Sequence, residues 1–148
     1  MKDKITCFKL NWYDCGLCSA EYAVQEEITI YRKDGYMVSK ELNGYGVICS
    51  CEIIRIDQGK VNEFFDFLEN ISDEWESDYK VPVCDGSEWK VRMWHSSRKV
   101  KTFCGTVEYP PNGRDIEEYI SSFILCGKST VSSRPGSMIN FCSSIYKP

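Results

Sequence analysis

The stretch YAVQEEITIYRKDGYMVSKELNGYGVICSCEIIRI, residues 22–56, decides the fold. Over 22–32 the chain alternates, with Val24, Ile28 and Ile30 sharing one side, as in a half-buried strand. Lys33-Asp34-Gly35 is a turn signal. Residues 36–42 alternate again, with Tyr36, Val38 and Leu42 together. Asn43-Gly44 marks another turn, and 45–56 reads as a long strand with Tyr45, Val47, Cys49, Cys51 and Ile53 on one face. Keeping the apolar faces together fixes the first loop. A two-residue Asp-Gly loop would set Ile30 beside Ser39. A three-residue loop, with Gly35 at positive φ, pairs Arg32 with Tyr36 and Ile30 with Val38, and is the expectation.

Upstream, residues 5–13 add a strand with Phe8, Leu10 and Trp12 on one side and Cys7, Lys9 and Asn11 on the other. Downstream, Asp57 is a plausible N-cap. Val61, Phe64, Phe65, Leu68 and Ile71 then recur at helical spacing. Burying those five side chains contributes about 1.5–3 kcal/mol each before entropy. An acidic connection over 72–86 ends at the Asp85-Gly86 turn. Strands follow at 89–95 and 100–107, joined by Ser96 to Lys99, and Tyr109-Pro110-Pro111 stops the second. Asn112 caps a second helix with Ile116, Tyr119, Ile120, Phe123 and Ile124 as its stripe, and Gly127 ends it. The order is β-β-β-β-α-β-β-α. Hairpin-linked strands make an antiparallel sheet, so the expected class is α+β, about six strands with both helices on one face.

A chain of 148 residues fits one domain. We expect it to span residues 1–127, with 128–148 a serine-rich tail, disordered or an added strand. The start lacks the apolar run of a signal peptide, and no stretch is long and apolar enough for a membrane span, so the expected location is cytoplasmic with no membrane partner. Nine cysteines cannot all pair within one chain. Without a secretory signal they read as reduced thiols. The net charge of −4 is unevenly spread. Residues 52–78 hold nine acids against Arg55 and Lys60, whereas 90–101 hold Lys90, Arg92, Arg98, Lys99 and Lys101 and no acid. The expectation is an electrically polarised molecule.

Several chemical motifs can be weighed. Cys15-Gly16-Leu17-Cys18 is a C-x-x-C which, with Cys49 and Cys51, could supply four thiolates to zinc. The second pair is C-x-C beside Val47 and Ile53, a pattern that favours core thiols, so no metal is expected. A thioredoxin-type pair should open a helix, and strands follow here. His95 is the one histidine. With Ser96 to Lys99 as a four-residue loop, His95 pairs with Val100 and Val91 with Cys104. That places Cys104 about 13 Å from the imidazole, beyond nucleophile–base reach. Ser96 and Ser97 read as turn formers, with no third member of a triad in view. Gly127-Lys128-Ser129-Thr130 mimics the end of a phosphate-binding loop, but Ser122 stands where glycine is needed. The acids at 73–78 do not follow an EF-hand pattern.

Two surfaces remain. The 89–103 hairpin, in the register above, gathers Lys90, Arg92, Trp94, Lys101 and Phe103 on one face, with Arg98 at its turn. Such interleaving suits single-stranded nucleic acid or a phosphate-rich ligand, or an acidic protein. Cross-strand cation–aromatic pairing is the purely structural reading. Glu74, Trp75 and Glu76 form an acidic surface with an aromatic anchor, suited to a basic partner.

Asp85-Gly86-Ser87-Glu88-Trp89, Gly105, and Tyr109-Pro110 before a helix, with Trp75 upstream, resemble a pattern in small uncharacterised bacterial proteins. The resemblance covers residues 71–125. It implies a bacterial origin and attaches no activity. The expected function is a non-enzymatic protein-interaction module of inhibitor, immunity or adaptor type. The alternatives are a nucleic-acid or phosphate-ligand binder on the basic hairpin, and a cysteine-based zinc or redox protein.

Overall fold

The structure is a computed structural model, described here over residues 3–14, 23–81, 87–106, 108–126 and 128–129. The strands are β1 (Ile5–Asp14), β2 (Ala23–Tyr31), β3 (Tyr36–Asn43), β4 (Ile48–Arg55), β5 (Asp78–Tyr79), β6 (Ser87–His95), β7 (Val100–Gly105) and β8 (Lys128–Ser129). The helices are α1 (Gln58–Ile71) and α2 (Gly113–Cys126). One sheet runs β5-β7-β6-β1-β2-β3-β4-β8. All its pairings are antiparallel except β5 with β7. The α+β class and element order are those expected. The two additional strands are two-residue pieces at the sheet edges, too short to leave a periodic signal in the sequence.

Both helices lie on the same face. Asp57 caps α1 by accepting from Lys60 N at 3.3 Å. The stripe Val61, Phe64, Phe65 and Leu68 is fully buried. Phe64 is the hub. Its ring meets Phe8 of β1 at 5.4 Å and Phe123 of α2 at 5.6 Å, both edge to face, the preferred arrangement for aromatic quadrupoles. Ile30, Met37, Ile54 and Met93 fill the same layer. Asn112 enters α2 at φ 62°, its carbonyl accepting from Asp115 N.

Two registers differ from expectation. Tyr31 pairs with Tyr36 and Ile30 with Met37, not Val38. The loop is therefore four residues, Arg32 to Gly35, with Gly35 at φ 65° and its N–H on Tyr31 O. The helix-facing side of β3 is Met37, Ser39 and Glu41, and Tyr36, Val38 and Leu42 look the other way. On β4 the core residue is Ile54, sharing its side with Glu52 and Ser50. Tyr45, Val47 and Cys49 are exposed rather than core. In the second hairpin His95 N bonds Lys99 O and Arg98 takes φ 71°. Three residues turn the chain instead of four. Trp94 therefore pairs with Val100, Arg92 with Thr102, and Val91 with Phe103 rather than Cys104.

Trp75, Trp89, Gly105, Tyr109 and Pro110 meet in one packing unit. Trp89 lies across Gly105, where a Cβ would sit 2.6 Å from the indole. Its Nε1 donates to Glu108 O at 2.9 Å, and its ring stacks with Tyr109 at 6.5 Å. Trp75 Nε1 donates to Pro111 O at 2.9 Å. Asp85 and Gly86 lie outside the described residues.

Candidate interaction surface on the uncovered sheet face

Pleating sends alternate side chains to opposite faces. With both helices on one side, no described element covers the other face of β6-β1-β2-β3-β4. The registers place its side chains in cross-strand rows. One row is Cys51, Lys40, Glu27, Asn11, Lys90 and Cys104. The next is Ile53, Val38, Thr29, Lys9, Arg92 and Thr102. The third is Arg55, Tyr36, Tyr31, Cys7, Trp94 and Val100. Four cations from three strands, Lys9, Lys40, Lys90 and Arg92, thus surround Glu27, the one carboxylate in these three rows. Glu27 pairs with Lys9 Nζ at 3.1 Å and accepts from Asn11 Nδ2 at 3.4 Å.

Aromatic rings border these cations. Tyr31 and Tyr36 stack at 4.8 Å between centroids. Burial, with nearby negative groups, raises the Tyr31 phenol above its ordinary value. Between Trp94, Tyr31, Lys9 and Lys40 runs an open groove of ≈ 540 Å³, floored by Cys7 and Thr29. A second hollow of ≈ 230 Å³ continues the face past Tyr13 and Lys90. Its rim carries the Lys80–Glu88 ion pair at 3.0 Å. Burial pushes the Cys7 thiol up to about 11, with Lys9 opposing, so it is a neutral wall rather than a nucleophile. At the β4 edge the face runs into an exposed apolar tip made of Tyr45, Val47 and Ile48.

Of the hairpin residues singled out from the sequence, Lys90, Arg92 and Trp94 sit together on this face. Lys101 and Phe103 do not. The one-residue change in register turns them to the helix side, where Phe103 is buried against Trp75 at 5.1 Å. Arg98 is exposed in the turn. Trp75 is 7% exposed and belongs to the core, so of Glu74, Trp75 and Glu76 only the two acids reach the surface. Lys9, Lys40, Tyr31 and Tyr36 were missed because each looked like the polar or apolar half of an ordinary strand. Only the strand order brings them beside β6.

Cys49 is exposed and Cys51 half-buried on this same face, while Cys15 and Cys18 lie outside the described residues. Among the described residues no three His, Cys, Asp or Glu side chains group as metal ligands, and no helix is long and apolar enough to cross a membrane. His95 does have an acid beside it, since Asp3 Oδ2 stands 3.5 Å from Nδ1. The order of contacts is wrong for a triad. Ser97 Oγ donates to Asp3 Oδ2 at 2.8 Å, not to the imidazole, and neither ring nitrogen is hydrogen-bonded. Asp3 instead closes the β6–β7 turn, accepting also from Ser96 Oγ and Ser97 N. Comparison of the chain with protein-family models, with curated proteins and with solved structures finds no match.

Proposed function

We propose that this chain is a non-enzymatic interaction module that receives an acidic, partly apolar protein surface on the uncovered face of its sheet. The observation that carries the reading is the continuity of that face. Lys9, Lys40, Lys90 and Arg92 converge from three strands around one neutralised carboxylate, and the patch runs into the exposed Tyr45, Val47 and Ile48. Interface cores favour aromatic rings and arginine, with charge complementarity setting partner choice. The apolar tip favours protein over a polyanion, which needs cations and stacking surfaces alone. The inhibitor, immunity or adaptor class is the kind of role such a face would serve.

The test is capture from an extract of the source cell with the wild type and with a Lys40→Glu/Arg92→Glu variant of unchanged thermal midpoint. A discrete protein held by the wild type, cross-linking to the β1–β4 face and released by the variant, supports the reading. Equal capture by both refutes it.

One observation favours a second reading. Trp94, Tyr31 and Tyr36 stand in one cross-strand row beside the row that holds Lys9 and Arg92, and rings beside cations are the makings of a single-strand nucleic-acid platform. That reading requires binding of short oligothymidine that weakens steeply with salt. Binding that is absent, or insensitive to salt, removes it.

A further inference from the structure

The third cross-strand row of the uncovered face dips in its middle. Tyr31, Cys7 and Trp94 follow one another across β2, β1 and β6. Two strand spacings, roughly 9.5 Å, separate the outer two. Only the small Cys7 side chain stands between them, and it lies in the floor of the ≈ 540 Å³ groove. Tyr31 stacks on Tyr36 on its far side, at 4.8 Å and 27° between ring planes. The Tyr31 ring therefore stands across the row, and its free side looks over Cys7 toward Trp94. Trp94 is half-buried and makes no ring contact among the described residues. A flat ring set midway would lie roughly 4.7 Å from each wall, at the close end of the separations of about 4.5–7 Å that aromatic pairs adopt. The Cys7 thiol, pushed up to about 11 mainly by burial, is neutral and adds no charge to the floor.

Charge stands one row away. Lys9 lies directly opposite Arg92, and like charges so placed on a sheet repel. Glu27 neutralises Lys9 at 3.1 Å, whereas Arg92 and Lys40 have no carboxylate partner among the described residues. An anion against Arg92 and Lys9 removes the repulsion. That row is two residues, roughly 6.6 Å, along the strands from the Tyr31–Trp94 row, and an extended segment repeats its side chains on one face at the same interval. Glu27 also lines the groove, where it opposes the continuous phosphate chain of a nucleic acid, while a single carboxylate on Arg92 avoids it.

We propose that the slot between Tyr31 and Trp94 takes an aromatic side chain of the protein partner, with a carboxylate two residues away in an extended segment seated on Arg92 and Lys9. The proposal rests on the reading of this face as a protein-interaction surface and names the chemistry of the partner's anchor.

The test is titration of the full chain with the capped pentapeptide Glu-Ser-Tyr-Ser-Glu, followed through the backbone amide resonances of the protein. The expected result is a set of saturable shifts centred on Cys7, Tyr31 and Trp94. Leucine in place of the peptide's tyrosine, or Trp94→Leu in the protein, weakens affinity roughly threefold to tenfold. Glutamine in place of both glutamates weakens it and removes its dependence on salt. Cys7→Leu, which fills the slot from its floor, blocks binding with both rings still present, and Glu118→Gln on the outer side of α2 changes nothing. No saturable shift, or equal affinity for the leucine peptide, overturns the slot without any substitution in the protein. Oligothymidine that binds through the same residues more tightly than the peptide also overturns it, because the ring seated there is then a base. Failure of the slot and failure of the face are separable. A captured protein that is lost in Lys40→Glu/Arg92→Glu and fully kept in Trp94→Leu overturns the slot and leaves the face reading standing. A chain that binds the peptide through Trp94 and captures no protein supports the slot and sinks the face reading.

Discussion

Arg32 does more for this molecule than its place in a turn suggests. Its side chain is 15% exposed, and the guanidinium donates to Ile5 O and Glu69 Oε2 at 3.0 Å and to Asp66 Oδ1 at 2.8 Å and lies 5.5 Å from the Phe65 ring centre. Glu69, 8% exposed, also accepts from Ile5 N at 2.7 Å. The fork ties α1 to β1 and to the β2–β3 loop. Removing one partner strands the other in a poorly solvated place. Arg32→Ala is expected to lower unfolding free energy by about 2–4 kcal/mol in urea titration, and Arg32→Lys by less but measurably, because an ammonium cannot reproduce the fork. Gly105 is the second such residue. A Cβ there meets the Trp89 indole at 2.6–2.8 Å, so Gly105→Ala should cost about 1–3 kcal/mol of stability with near-ultraviolet dichroism of the tryptophans altered. His95 carries the pH argument. Its side chain is 8% exposed, and burial lowers its basicity below the ordinary value, with Asp3 opposing. The unfolded imidazole takes its proton first as pH drops, so stability from neutral His95 is present above about pH 6.5 and is lost as pH falls through that value toward the lowered folded one. His95→Gln should flatten the stability profile there. An unchanged slope would mean that other groups carry it. None of these three roles is legible in the chain, where Arg32, Gly105 and His95 stand 37, 16 and 92 residues from Glu69, Trp89 and Asp3.

At the scale of elements, the strands and helices were legible and the registers were not. Helix α1 declares itself because its stripe returns every three or four residues and its outer side is polar. Strand β3 gives a misleading signal. Tyr36, Val38 and Leu42 are its more apolar side, yet Met37, Ser39 and Glu41 face the helices. The reason lies in the width of the sheet. Five adjacent strands shield one another's uncovered face with long side chains, so Thr29 there is only 9% exposed. An apolar residue is then tolerated on either side, and period-two contrast fades. The β6–β7 turn failed differently. Its shape needs a left-handed residue at the last loop position, and the sequence offers Arg98, φ 71°, where glycine would have announced it. Arg98→Gly should therefore raise stability by about 0.5–1 kcal/mol without shifting the Trp94–Val100 register, as measured by chemical denaturation. The candidate site suffered from the same misreading, since Lys90, Arg92 and Trp94 were placed correctly while Lys101 and Phe103 moved to the far side with the register.

The whole molecule is polarised by its layering rather than by its composition. The cations of β1, β3 and β6 emerge on one face. The acids Glu63, Asp66, Asp115 and Glu118 line the outer sides of the two helices on the other, where Glu63, Asp115 and Glu118 rim a groove floored by Phe67 and Tyr119. A net charge of −4 conceals this, and only the strand order reveals that Lys9, Lys40 and Arg92 are neighbours. Net charge and local face then make opposite predictions for an acidic partner. If overall charge governs association, Lys40→Glu/Arg92→Glu and Glu63→Lys/Glu118→Lys should change the rate in opposite directions by similar factors. If the sheet face governs it, the first pair should slow association at least tenfold at low salt, and the second pair should leave the rate within about twofold, because its charges lie across the sheet and beyond roughly one screening length of 8–10 Å. Stopped-flow association rates at two ionic strengths separate the cases. The face-governed outcome also requires the wild-type rate to fall with added salt while the Lys40→Glu/Arg92→Glu rate barely responds, since little attraction would remain to be screened.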